Sequence, residues 1–133
     1  MDAHTVAVEP SPAALQIDRE HREVLESLSD VRSALKLGRP GRELAGKLEA
    51  FAVIVEKHFA SEEELMRSSG YDGAGAHAAE HQRLLGQLQS VQGDFASGAI
   101  NPGGALALFV EVWTAQHIER HDNRFIDYLN ARA

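Results

Sequence analysis

Side chains that bind transition metals recur in this chain at the spacing of one face of a helix. They are His21, His58 with Glu62, His77 with His81, and His117 with Asp122. Residues about four apart on a helix project from one side, so each pair can direct two donor atoms toward a common point. Five imidazoles and two carboxylates are about what two transition-metal ions need. The pattern therefore predicts a metal site assembled from several helices.

Capping signals divide the chain into four helical stretches. Ser11-Pro12 and Asn101-Pro102 each combine an N-cap residue with a proline suited to the first helical turn. Glycine-containing segments at 38–41 and 70–75 separate the first three stretches. We predict helices over about 12–37, 41–68, 74–96 and 102–130. The short connections favour an all-α, antiparallel up-down-up-down four-helix bundle over residues 12–133, preceded by a mobile N-terminal arm over residues 1–11.

The apolar stripe of each predicted helix includes the candidate ligands. In the second stretch, the stripe runs from Val55 through His58 and Glu62 to Leu65 at alternating steps of three and four residues. These polar groups therefore occupy core positions. Burying them without partners would cost on the order of several kcal/mol per group. The sequence thus predicts that something in the bundle interior binds them.

The last helix needs one extra residue to keep both of its candidate ligands inside. Its apolar stripe leads through Trp113 to His117, whereas Asp122 and Phe125 follow a frame that is displaced by one residue. A single π-helical turn between His117 and Asp122 would absorb the extra residue, and such turns are frequent at functional sites. We therefore predict a π-bulge in this segment.

Composition argues against several classes of function. The formal net charge of −7 disfavours binding to nucleic acid and to anionic membranes. The chain has no cysteine, so disulfides and thiolate metal sites are excluded. Its apolar runs are short for a membrane-spanning helix, and the first residues lack the order of a signal peptide. We expect a cytoplasmic protein with one domain of 133 residues.

The order of the motifs resembles the hemerythrin family, whose pattern is H…HxxxE…HxxxH…HxxxxD. Here the pattern stands as IDREH ending at His21, HFASEEELM from His58, HAAEH from His77, and HIERHD from His117. The resemblance covers about residues 15–128 and matches all seven ligand positions in type and order. It implies a di-iron site with the following assignment. One iron is held by His77, His81 and His117, the other by His21 and His58, and both are bridged by Glu62 and Asp122.

This assignment leaves the second iron one ligand short, and in the family dioxygen binds at that vacancy. The resemblance implies that a diferrous, hydroxide-bridged pair transfers two electrons and the bridging proton to dioxygen, which is then held reversibly as a hydroperoxide. Imidazoles donate less charge than carboxylates, so a nitrogen-rich site should favour ferrous iron over the high-valent states that cleave O–O bonds. We therefore expect oxygen storage, transport or delivery and not an enzyme.

Three residues near the last motif are expected to line the oxygen pocket: Thr114, Ala115 and Ile118. Family members usually carry bulky aliphatic residues before the histidine, so Thr114 and Ala115 predict a roomier and wetter pocket. This departure leaves open two alternative functions for the same di-iron site. One is an oxygen, redox or iron sensor whose protein partner the sequence does not identify. The other is a di-iron enzyme acting on peroxide or nitric oxide.

Four further candidate donors are expected to be solvated and not to bind metal. His4 lies in the predicted arm, and His121 lies outside the apolar stripe of the last helix. Glu63 and Glu64 follow Glu62 directly and should form a solvated face of the second helix.

Overall fold

A computed structural model describes residues 11–38, 41–97, 117, 118 and 120–132. The helices of this part are α1 (Pro12–Lys36), α2 (Gly41–Ser69), α3 (Ala74–Ser97) and α4 (Asn123–Arg132), and it contains no strand. The predicted all-α class is confirmed, and the ends of α1, α2 and α3 agree with the predicted ends to within one residue. Residues 1–10 of the predicted arm and the predicted start of the last helix lie outside the described residues. None of the helices described is long and apolar enough to span a membrane.

The helix ends follow from local chemistry. Ser11 is the N-cap of α1, where its Oγ accepts a hydrogen bond from the backbone N–H of Ala14 at 3.0 Å, and Pro12 follows at the first helical position. Gly38 and Gly70 come after α1 and α2 with φ values of 65° and 69°. Glycine adopts this left-handed conformation without the steric penalty of a Cβ atom, so both helices stop where the sequence predicts.

Contacts between the helix ends show that α1 runs antiparallel to α2 and to α4, as the predicted up-down-up-down four-helix bundle requires. Ile17 near the start of α1 belongs to the same apolar cluster as Met66 near the end of α2. Val31 near the end of α1 shares the other cluster with Leu44 near the start of α2. The backbone N–H of Ser11 donates to Oδ1 of Asn130 at 3.0 Å, so the end of α4 lies beside the start of α1.

The two apolar clusters leave a buried polar layer between them. The larger cluster contains Val24, Phe59 and Leu84, and the smaller contains Ile17, Met66 and Phe125. On α1, α2 and α3 the candidate ligands fall between residues of the two clusters, and His117 and Asp122 come from the segment just before α4. Each of the seven has at most 8% of its surface exposed. The buried residues of this polar layer are His21, His58, Glu62, His77, His81, His117 and Asp122.

A π-helical turn brings both candidate ligands of the last helical segment into the polar layer. Residues 117, 118 and 120–122 adopt π-helical geometry, which confirms the predicted bulge. His117, Asp122 and Phe125 are all fully buried. A π-helical turn contains more residues than an α-helical turn. His117 and Asp122 are five positions apart, and the wider turn lets both point to the same side of the segment.

Candidate metal centre

The donor atoms of the polar layer form two overlapping groups. Within each group, one donor atom from every residue lies within 4.8 Å of the others. The first group consists of Glu62, His77, His81, His117 and Asp122. The second group consists of His21, His58, Glu62 and Asp122. The two carboxylates belong to both groups, so each can serve two neighbouring cations.

Asp122 directs its two oxygens toward different groups. Oδ2 lies 2.6 Å from Nε2 of His21, which belongs to the second group. Oδ1 lies 2.8 Å from Nε2 of His77 and 2.9 Å from Nε2 of His117, both in the first group. A carboxylate with one oxygen toward each group has the orientation that a bridge between two cations requires.

Glu62 lies at the centre of the same layer. Its Oε1 is 3.0 Å from Nε2 of His81, 3.1 Å from Nε2 of His77 and 3.9 Å from Nε2 of His58. Its Oε2 is buried and has no hydrogen-bond partner among the residues described. A buried carboxylate oxygen without a partner is costly, because it has lost its hydration without compensation. A cation at this position would remove that cost, so the donor set fits a metal.

Opposite charges within the layer shift the ionisation of its members. Burial would raise the pKa of Glu62, but hydrogen bonds from His117, His77 and His81 outweigh burial and lower the pKa to about 2. The pKa of Asp122 is likewise held well below its usual range. Burial would lower the pKa of His77, but hydrogen bonds to Asp122 and Glu62 raise it to about 9. Burial would also lower the pKa of His117, but the same two carboxylates raise it, so that without metal the protons of His77 and His117 offset the two negative charges.

We expect metal binding to release protons and to strengthen as the pH rises from about 6.5 to about 9. In the metal-free protein His77 holds its proton across this range, since its pKa rises from 6.5 to about 9. A metal must displace that proton. The same shift stabilises the metal-free fold below pH 6.5, and this contribution is lost as the pH rises through about 9. Calorimetric titration with Co²⁺ in buffers of different ionisation enthalpy measures the protons released. Binding without proton release, at an affinity independent of pH, would contradict this expectation.

Glu20 contacts a candidate ligand, and sequence reasoning did not identify it. Its Oε1 lies 2.8 Å from Nδ1 of His58, while its Oε2 accepts hydrogen bonds from Ser61 at 2.8 Å and Gln16 at 3.0 Å. Burial would raise the pKa of Glu20, but these hydrogen bonds lower it. The available signal was Gln16 four residues before Glu20, a polar pair on one side of α1 beside the stripe that contains His21.

The expectation that Glu63 forms part of a solvated face is wrong. Its Oε2 lies 2.7 Å from Nδ1 of His81, and only 34% of its side chain is exposed. Glu64 does behave as predicted, because it is 59% exposed and pairs with Arg67 on the surface. The physical reason is that an imidazole has nitrogens on two sides. Because Nε2 of His81 contacts Glu62, Nδ1 on the other side of the ring contacts Glu63, the next residue of α2.

The remaining candidates lie outside both donor groups or outside the described residues. His121 is half-buried, with its ring centroid 5.5 Å from that of His77 and 5.7 Å from that of His117, and it belongs to neither group. Ile118 is partly buried against the larger apolar cluster. Thr114, Ala115 and His4 lie outside the described residues, so the oxygen-pocket lining stays a prediction.

Comparison with known proteins identifies the family. A family model described as the hemerythrin HHE cation binding domain matches residues 14–129. The chain is 29% identical over 114 residues to bacteriohemerythrin of Methylococcus capsulatus, covering 86% of each protein. It is 29% identical to hemerythrin of Siphonosoma cumanense and 23% identical to myohemerythrin of Sipunculus nudus, each over 109 residues that cover 82% of this chain and 79% of the relative. The chain belongs to the hemerythrin family. No solved structure matches it.

Proposed function

We propose that this chain binds two iron ions in its polar layer and binds dioxygen reversibly at one of them, for storage, transport or delivery. The observation that carries the proposal is the pair of overlapping donor groups that share Glu62 and Asp122. On this proposal both carboxylates bind both ions. The histidines divide unequally, with His77, His81 and His117 at one ion and His21 and His58 at the other.

The unequal division supports binding of an external ligand at the second ion. That ion has one imidazole fewer, so it has room for a small molecule. Imidazole and carboxylate donors suit Fe, Zn and Mn, and family membership favours iron. When bound, ferrous iron would supply the electrons that dioxygen accepts. The protein contributes the position of the donors and the exclusion of water.

The surroundings of the polar layer support reversible binding. The ring of Phe59 stacks on His81 with centroids 3.9 Å apart, and Phe125 packs edge-on against His77. Phe59 and Phe125 are at most 1% exposed. Apolar rings on both sides of the layer restrict the entry of water and protons, which would otherwise react with an oxygenated site.

Visible spectroscopy with metal analysis on the same sample tests the proposed function. The protein is reduced anaerobically, freed of reductant, exposed to air and then returned to an oxygen-free atmosphere. We expect about two iron ions per chain, as the two donor groups suggest, with a spectral change in air that reverses when oxygen is removed. Zinc-loaded protein is the control and should show no change. Iron-free protein, or a spectrum unaffected by air, would contradict the proposal.

A di-iron enzyme acting on peroxide or nitric oxide is the second candidate. It is favoured by the small residues Thr114 and Ala115 before His117, which predict easier access to the metals. Stopped-flow measurement of peroxide consumption distinguishes the two functions. Many turnovers per iron pair would favour the enzyme, whereas a single stoichiometric reaction would favour oxygen binding.

A further inference from the structure

Two consecutive carboxylates of α2 contact the two nitrogens of one imidazole. Oε1 of Glu62 lies 3.0 Å from Nε2 of His81, and Oε2 of Glu63 lies 2.7 Å from Nδ1 of the same ring. The ring of Phe59, one turn earlier on α2, is parallel to that of His81, with an interplanar angle of 7°. The carboxylates therefore restrict rotation of His81 within its plane, and Phe59 restricts tilting out of it.

The contact with Glu63 selects one tautomer of His81. If Nε2 is to bind a metal, its lone pair must be free, so Nδ1 must carry the proton. That N–H then donates to Glu63. Hydrogen bonds to an ionised acceptor are stronger than neutral ones, and they make a ligating imidazole more basic.

His81 differs in this respect from His77, its neighbour in the first donor group. Nδ1 of His77 is buried and has no hydrogen-bond partner among the residues that the structure describes. Nδ1 of His81 is held by a carboxylate, although both rings are at most 1% exposed. Glu63 therefore acts on one particular ligand of the first group.

We infer that Glu63 is a positioning residue, which holds His81 with Nε2 toward the first donor group and strengthens metal binding there. The inference rests on the metal site of the proposed function and does not depend on dioxygen. A solvated surface acid would have no such effect. A positioning residue and a solvated acid therefore predict different effects of a Glu63 substitution on the affinity and the coordination geometry of the bound metal.

Titration of the metal-free full-length protein with Co²⁺ tests the role of Glu63, because cobalt d–d bands report coordination geometry. We expect Glu63→Ala to weaken one of the two binding events by about 10- to 100-fold, the range typical of lost outer contacts to a ligand, and to alter the d–d bands. Glu63→Gln keeps an acceptor but loses the charge, so its affinity should lie between those of Glu63→Ala and the parent. Glu64→Ala and Glu64→Gln are matched controls on the exposed neighbour and should match the parent.

Each outcome of the titration decides between the two roles. Equal affinity and equal d–d bands in Glu63→Ala and Glu64→Ala would overturn the inference. A lower melting temperature of metal-free Glu63→Ala with unchanged Co²⁺ binding would also overturn it, because the role would then be structural only. If Glu63→Ala does not fold, Glu63→Gln decides, and affinity equal to that of Glu64→Gln overturns the inference. A parent that binds no metal contradicts the proposed function itself. A parent that binds two ions, with a Glu63→Ala variant that binds both at the parent's affinity and with the parent's d–d bands, contradicts only the role of Glu63.

Discussion

Glu62→Ala and Asp122→Ala should each lose at least one of the two metal ions. Both carboxylates belong to both donor groups, so removing either one takes a donor from each of the two proposed ions. In Glu62→Ala, the imidazoles of His77 and His81 also lose Oε1 of Glu62, which in the parent protein lies about 3 Å from Nε2 of each. Removing one partner from a buried charged pair is commonly destabilising by about 3 to 5 kcal/mol, so the variants should also melt earlier. Metal content per chain, measured on folded protein after reconstitution with excess Fe²⁺, checks the expectation.

Glu64→Ala is the matched control for the bridging carboxylates. Glu64 is on the same helix, two residues from Glu62, with 59% of its side chain exposed. It should keep the full metal content and the melting temperature of the parent. Glu63→Ala is unsuitable as a neutral control, because Glu63 contacts His81. The same metal content in Glu62→Ala, Asp122→Ala and Glu64→Ala would show that neither carboxylate is a bridge.

Removal of metal should lower the melting temperature by about 10 °C or more without unfolding the protein at room temperature. A ligand present at about a thousand times its dissociation constant stabilises the native state by about 4 kcal/mol, and each kcal/mol moves the melting temperature of a small domain by about 2 to 8 °C. The fold should persist, because both carboxylates form hydrogen bonds with imidazoles in the polar layer. What remains is the repulsion between Glu62 and Asp122, which a cation would relieve.

Calorimetric melting before and after a chelator measures this stabilisation. Readdition of Fe²⁺ under anaerobic conditions should restore the higher melting temperature, and the readdition shows that the chelator itself does not destabilise the fold. Asp122→Ala is a second control and should respond less to the chelator, because it has less metal to lose. An unchanged melting temperature after complete removal of metal would mean that the polar layer is stable on its own hydrogen bonds.

The fold was largely predictable because its determinants are local. Ser11 caps α1 through its own side chain, and Gly38 and Gly70 end helices by a backbone conformation that favours glycine. The π-helical turn was also predictable, because Asp122 and Phe125 are out of register with the stripe that leads to His117. Each of these signals involves residues close together in the chain.

The seven side chains of the polar layer could also be identified from the sequence alone. Polar residues within apolar stripes face one another in the interior of a bundle. The number of donors suggested two ions, but the assignment of each residue to one ion or the other was implied only by the resemblance to a family. Their binding of iron stays a prediction. Spacing along one helix does not determine which atoms of another helix they face.

Only the tertiary structure determined which carboxylates contact the Nδ1 atoms of His58 and His81. Glu20 and Glu63 have ordinary neighbours in sequence, yet they meet His58 and His81, which lie 38 and 18 residues away in the chain. Such contacts depend on the rotation of each helix about its axis and on the side-chain rotamers at the helix boundary. A different side-chain rotamer of Glu20 or Glu63 would leave every sequence pattern intact. It would nonetheless move a carboxylate from a ligand nitrogen into solvent.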